Sequence, residues 1–219
     1  MLNLIIKDIL VQKKSILFAL GYCFFLVFAF QSLEQAAPIV ANIAVVYILL
    51  LNSFAYEDKN KSEIMLNSLP ISRSDIVLAK YLSIFIYMGL AILSYMSSCL
   101  FVKALGIPIK VVLLNLEGIT AAFLFVSLMS SIYLPIIFKF GYIKAKLFNL
   151  AMFLLFFFVP TVLVNIYSNP KYYNSIAGFV EWLTRWNRWQ IATLLIGISL
   201  FILSLSYWVS AYIYKNREF

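Results

Sequence analysis

The chain is 219 residues long, 64% hydrophobic, only 12% charged, and carries a net charge of +8. An ordinary globular domain is about 45–50% apolar and about 25% charged, so a soluble fold of this length would leave much of its oily surface facing water. The basic residues stand at the ends of apolar runs and form no patch, which excludes nucleic acid as the natural partner and points to membrane topology instead.

The first segment has its own pattern. Leu2, Ile5, Ile6, Ile9 and Leu10 recur at helical spacing as an apolar stripe, with Lys7 and Gln12 placed elsewhere. This predicts an amphipathic helix lying along the membrane interface, or else a continuation of the span that follows. The n-region is basic, but no small-x-small cleavage site follows the apolar run, so the segment is expected to stay in the mature protein.

A bilayer-crossing helix needs about 20 apolar residues. Runs of that kind predict six spans, at about 15–33, 38–56, 77–102, 111–138, 147–168 and 190–214. The predicted fold is therefore all-α and polytopic, a single transmembrane domain over 1–219. Cys23 and Cys99 both fall inside apolar runs, where they read as small packing residues and not as a disulfide scaffold.

Between the second and third spans the character changes. From Tyr56 to Leu82 there are eight charged residues, Glu57, Asp58, Lys59, Lys61, Glu63, Arg73, Asp75 and Lys80. Asn60 and Glu63 have capping-box spacing, and Ile64, Met65, Leu66 and Leu69 give the short helix they start an apolar side that Pro70 ends. A second start follows, with Ser72 as the cap, Asp75 at N3, and Ile71 and Ile76 as a hydrophobic staple. The short helix cannot bury its apolar side alone. It rests on lipid headgroups, docks in a groove of another protein, or stays a well-capped solvated loop.

The remaining spans hold fewer signals. Glu117 enters the fourth span and reads either as part of a polar substrate path or as an outer-interface partner of Lys110. Pro135 and Pro160 lie inside spans as candidate hinges. Trp182, Trp186 and Trp189 recur at helical spacing beside a Glu181–Arg185 pair, which predicts an outer interfacial helix.

Orientation follows from the loops. With a cytoplasmic N-terminus, 12 Lys and Arg fall on inner segments and 5 on outer ones, so both termini are expected in the cytoplasm. The charged segment is then cytoplasmic too.

The stretch Glu57-Asp58, Leu66-Asn67-Ser68-Leu69-Pro70-Ile71-Ser72-Arg73, Ile76-Val77 and Ala79-Lys80-Tyr81 resembles the permease subunits of type-2 ABC exporters, the small six-helix permeases of Gram-positive bacteria. The resemblance is specific in this loop and extends loosely over all six spans. It implies a cell-membrane permease that pairs with an identical or paralogous copy over separate cytoplasmic ATPase subunits, which bind the ATP and Mg. It also implies a coupling helix at about Asn60 to Leu69 seated in the ATPase. Ile64, Met65 and Leu66 would be its anchors, with Glu57, Asp58, Glu63 and Arg73 at the polar rim, and Lys61, Leu69 and Asp75 would belong to the same ATPase-coupling set. Similar-looking members export amphipathic peptides such as phenol-soluble modulins or confer immunity to peptide antibiotics.

The residues themselves argue against catalysis. There is no His, no G-x-x-x-x-G-K-[ST] phosphate loop, and no pair of acids at metal-ligand spacing, so no metal or directly bound cofactor is expected. The alternative to an exporter is a stand-alone immunity or interaction protein that binds a toxic peptide without pumping. A secondary transporter is disfavoured because mid-span ionisable residues other than Glu117 are scarce.

Overall fold

A computed structural model describes residues 2–31, 36–68, 70–107, 112–168 and 186–217. Within them every regular element is helical: α1 (Leu2–Val11), α2 (Lys13–Ala29), α3 (Ala37–Lys59), α4 (Ser62–Ser68), α5 (Arg73–Ala104), α6 (Leu116–Ser168) and α7 (Arg188–Lys215). Helices are what lipid permits, because each backbone N–H and C=O finds its partner inside the segment.

Helix α3 occupies the centre. Val40, Ile43, Ala44, Val46 and Leu49 are fully buried, and 67% of its apolar window is covered by neighbours, against 22% for α7. Around it, α5 packs on α2, α3 and α7, and α6 lies along α3 and α7. Some buried serines satisfy themselves within their own helices. Ser83 donates to Ala79 O, Ser94 to Leu90 O and Ser127 to Phe123 O, as back-bonding hydroxyls do. Between helices, the Tyr81 hydroxyl shares hydrogen bonds with Ser206 (2.6 Å) and Ser210 (2.8 Å) of α7. Ser206 in turn donates to Ser131 O on α6 at 2.6 Å, so three helices are tied by one polar chain.

Among the described residues, four helices are long and apolar enough to cross a bilayer, and a fifth crossing results if α1 and α2, bent by 63° at Gln12, form one span. The fourth and fifth predicted spans both fall in the 53 residues of α6, which joins two helices across a break. The stretch Leu150–Leu163 within it is apolar but short for a span. The break in α6 falls at Gly141 (φ 78, ψ 167), and both Pro135 and Pro160 sit inside helical residues. That backbone region is essentially open to glycine alone.

Two local expectations are settled by the helix ends. Ser72 caps α5 and its Oγ accepts from Asp75 N–H at 3.1 Å, as the capping signature requires. Asn60, expected to start the short helix, instead closes α3 as its C-cap, its N–H donating to Tyr56 O at 3.0 Å. The third helix runs on to Lys59, beyond the apolar run, because it gains ionic partners there. Lys61 then turns the chain with a positive φ of 49 before α4 begins at Ser62.

Candidate functional site

The charged end of the bundle gathers α1, the end of α3, α4, the start of α5 and the end of α7. Helix α1 has its faces arranged differently from the stripe read in the sequence. Leu4, Ile5, Asp8 and Gln12 are buried against the protein, while Ile6, Leu10 and Val11 are exposed. The stripe is therefore divided, and the outward half suits lipid while the inward face carries polar groups.

Those polar groups meet a lysine. Lys80 Nζ, on the second turn of α5, lies 2.9 Å from Asp8 Oδ2, 2.9 Å from Glu57 Oε1 and 2.6 Å from Ser53 Oγ. Lys7 Nζ completes a neutral quartet at 3.2 Å from Asp8 and 2.5 Å from Glu57. The side chains of Lys80 and Asp8 are only 4% and 3% exposed. A buried pair of this kind adds little over an apolar replacement, but removing one member leaves an uncompensated charge that costs about 3–5 kcal/mol. The network specifies which helix ends meet. Below it, Gln12 Nε2 donates to Tyr87 Oη at 2.9 Å. Beside it, Lys80 sits 4.8 Å over the Phe54 ring, which continues into the edge-on aromatic series Phe54–Phe138–Tyr214.

A second tie closes the same end. Arg73 Nη1 donates to Lys215 O at 2.9 Å and Arg217 O at 3.0 Å, and approaches Tyr214 O at 3.5 Å. These carbonyls lie at and just past the end of α7, where intrahelical donors run out. Arg217 Nη1 donates onward to Phe138 O of α6 at 3.2 Å.

The predicted coupling residues separate accordingly. Glu57 and Arg73, expected at a partner's rim, are engaged within the chain. Leu66, expected as an anchor for another protein, is buried on this chain's own core. Met65 is 66% exposed, and Asp58 and Lys61 are exposed, so they remain on the surface. Asp75 is half-buried beside Ser72. The side chains of Glu63 and Ile64, and all of Leu69, lie outside the described residues. Between α1 and α4 runs an open groove of about 480 Å³, lined by Leu4, Met65, Leu66, Pro70 and Ile71 together with Lys7 and Asp75.

At the opposite end, Glu117 stands exposed in the first turn of α6, with Arg188 Nε 3.4 Å from its Oε1. Its partner is therefore on α7, and Lys110 lies outside the described residues. Trp186 and Trp189 are exposed where α7 begins, where Gln190 Oε1 accepts the N–H of Asn187 at 3.0 Å. Trp182 lies outside the described residues.

The sequence reading missed Lys7, Asp8 and Lys80 as members of one site. The available signal was Asp8 itself, an acid at i+3 from Ile5 on a helix otherwise read as an apolar stripe.

No curated protein and no solved structure matches the chain. The sequence model of the ABC-2 family transporter proteins does match, over residues 3–215, which takes in every helix of the bundle. With several apolar helices of spanning length and a family match from end to end, this multi-pass membrane protein belongs to the ABC-2 transporter family.

Proposed function

We propose that the chain is the permease subunit of an ATP-driven exporter in a bacterial plasma membrane, crossing six times with both termini in the cytoplasm. Two permeases, identical or paralogous, pair over two ATPase subunits that bind and hydrolyse ATP with Mg. Helix α4 is the coupling helix, and the groove between α1 and α4 receives the ATPase. The substrates are amphipathic or hydrophobic molecules, peptides among them.

One observation carries this reading in a chain of this family. The seven-residue helix α4 is strung between two spanning helices at the basic end of the bundle, with Met65 turned outward beside an apolar groove. A short helix joined at both ends to spanning helices passes a push from below into both of them. The long α5 extends that lever: at 1.5 Å per residue its 32 residues reach about 48 Å, well past a hydrocarbon core of about 30 Å. Glu117 and Arg188 lie at the other end, where substrate would leave.

The test is purification from native membranes in mild detergent, followed by identification of what accompanies the protein. A nucleotide-hydrolysing subunit in stoichiometric amount is expected. Its absence, from cells in which the protein is active, would favour the stand-alone immunity protein instead.

A further inference from the structure

We infer that Lys80 is a positioning residue for coupling, a three-armed staple that makes α1, the end of α3 and the start of α5 move as one body. The inference rests on the exporter reading for its consequence, but its geometry stands apart from it. An ammonium group has three protons to donate. Here three acceptors surround it: Asp8 on α1, and Glu57 and Ser53 on α3, all within 2.9 Å. With the side chain 4% exposed, water does not compete for those positions.

Its place along the chain gives the staple its effect. Lys80 is seven residues past Arg73, about 10 Å up α5. On the α3 side, Ser62 at the start of α4 donates its hydroxyl to Glu57 O at 3.3 Å, in the last turn of α3. The links on either side of α4, at Asn60–Lys61 and Pro70–Ser72, are not helical. Left to those links, the ends of α3 and α5 would splay when α4 is displaced. The staple holds them together directly above it. It also recruits α1, which reaches this junction through Lys7 and Asp8. A push on α4 is therefore delivered to three helices at once.

Charge arithmetic separates positioning from mere neutrality. Lys80→Met leaves two carboxylates against one lysine. Adding Asp8→Asn restores neutrality, with Lys7 still on Glu57, but the link from α1 to α5 stays cut. Spin labels at Leu10→Cys on α1 and Leu82→Cys on α5, both at exposed positions, report the junction in a Cys23→Ala, Cys99→Ala background. Expected for the wild-type junction is one narrow distance distribution. Asp8→Asn/Lys80→Met is expected to regain most of the melting temperature that Lys80→Met loses, yet to keep a distribution at least twice as wide. In complex with the ATPase, trapping with ATP and vanadate should shift the distance between Leu10 and a label on the ATPase in the wild type. In the double variant hydrolysis should continue without that shift. A narrow distribution restored in the double variant would overturn the inference. If the wild type carries no ATPase, the exporter reading falls, while the label distances still decide the staple.

Discussion

Replacing Arg73 with Ala removes the donor that closes the end of α7. The guanidinium makes two well-formed bonds, at 2.9 Å to Lys215 O and 3.0 Å to Arg217 O, and a marginal one at 3.5 Å to Tyr214 O. Hydrogen bonds with a charged partner contribute about 1.5–3 kcal/mol each when shielded. The bond to Lys215 is exposed, so water replaces part of what is lost. A cation at a helix C-terminus adds about 0.3–1 kcal/mol. The net loss is about 2 kcal/mol, which corresponds to roughly 30-fold easier opening of the last turn. Native-state hydrogen exchange reads this directly at the amides of Asn216 and Arg217, which bond to Tyr212 O and Tyr214 O. Arg73→Lys should recover at most half of the protection, because an ammonium is a point donor without the planar fork. Unchanged exchange at those two amides in Arg73→Ala would refute the assignment of Arg73 as the clasp on α7.

Two further substitutions probe the same end. Gly141→Ala should lower stability by about 1–3 kcal/mol, since φ 78 with ψ 167 is closed to side chains and the new Cβ would stand 3.4 Å from Arg217 Nη2; a melting curve in detergent equal to wild type would place the break in α6 elsewhere. Ser72→Ala should cost about 1 kcal/mol through the lost cap on α5, with Ser72→Asp close to wild type, as chemical denaturation can measure; equal loss in both variants would show that the hydroxyl bond to Asp75 N–H is not what matters.

What the sequence made legible was local or compositional. The membrane class follows from the oily composition, and the start of α5 from Ser72, Asp75 and the isoleucines flanking them, because a cap is decided by residues within one turn. That a short helix stops ahead of Pro70 was legible as well, since α4 ends at Ser68. Asn60 was misread because Asn serves both ends of helices, and only the continuation of α3 to Lys59 shows which end it serves. The break in α6 falls between the fourth and fifth predicted spans, where Lys139, Lys144 and Lys146 interrupt the apolar pattern, but which residue turns the chain was not legible, because Gly141 shows its role only through its backbone angles. The charge quartet was out of reach altogether. Its members lie at positions 7, 8, 57 and 80, and only the packing of α1 on α3 and α5 brings them together.

The most direct test of the account is a photo-crosslinking residue introduced at Met65, the outward side chain of α4, in cells where the protein is active. Crosslinking to a nucleotide-hydrolysing subunit is the predicted outcome, with none from the same probe at Trp208, an exposed side chain on the apolar face of α7. Capture from both positions alike, or from neither, would contradict the claim that α4 is where this membrane protein meets its ATPase.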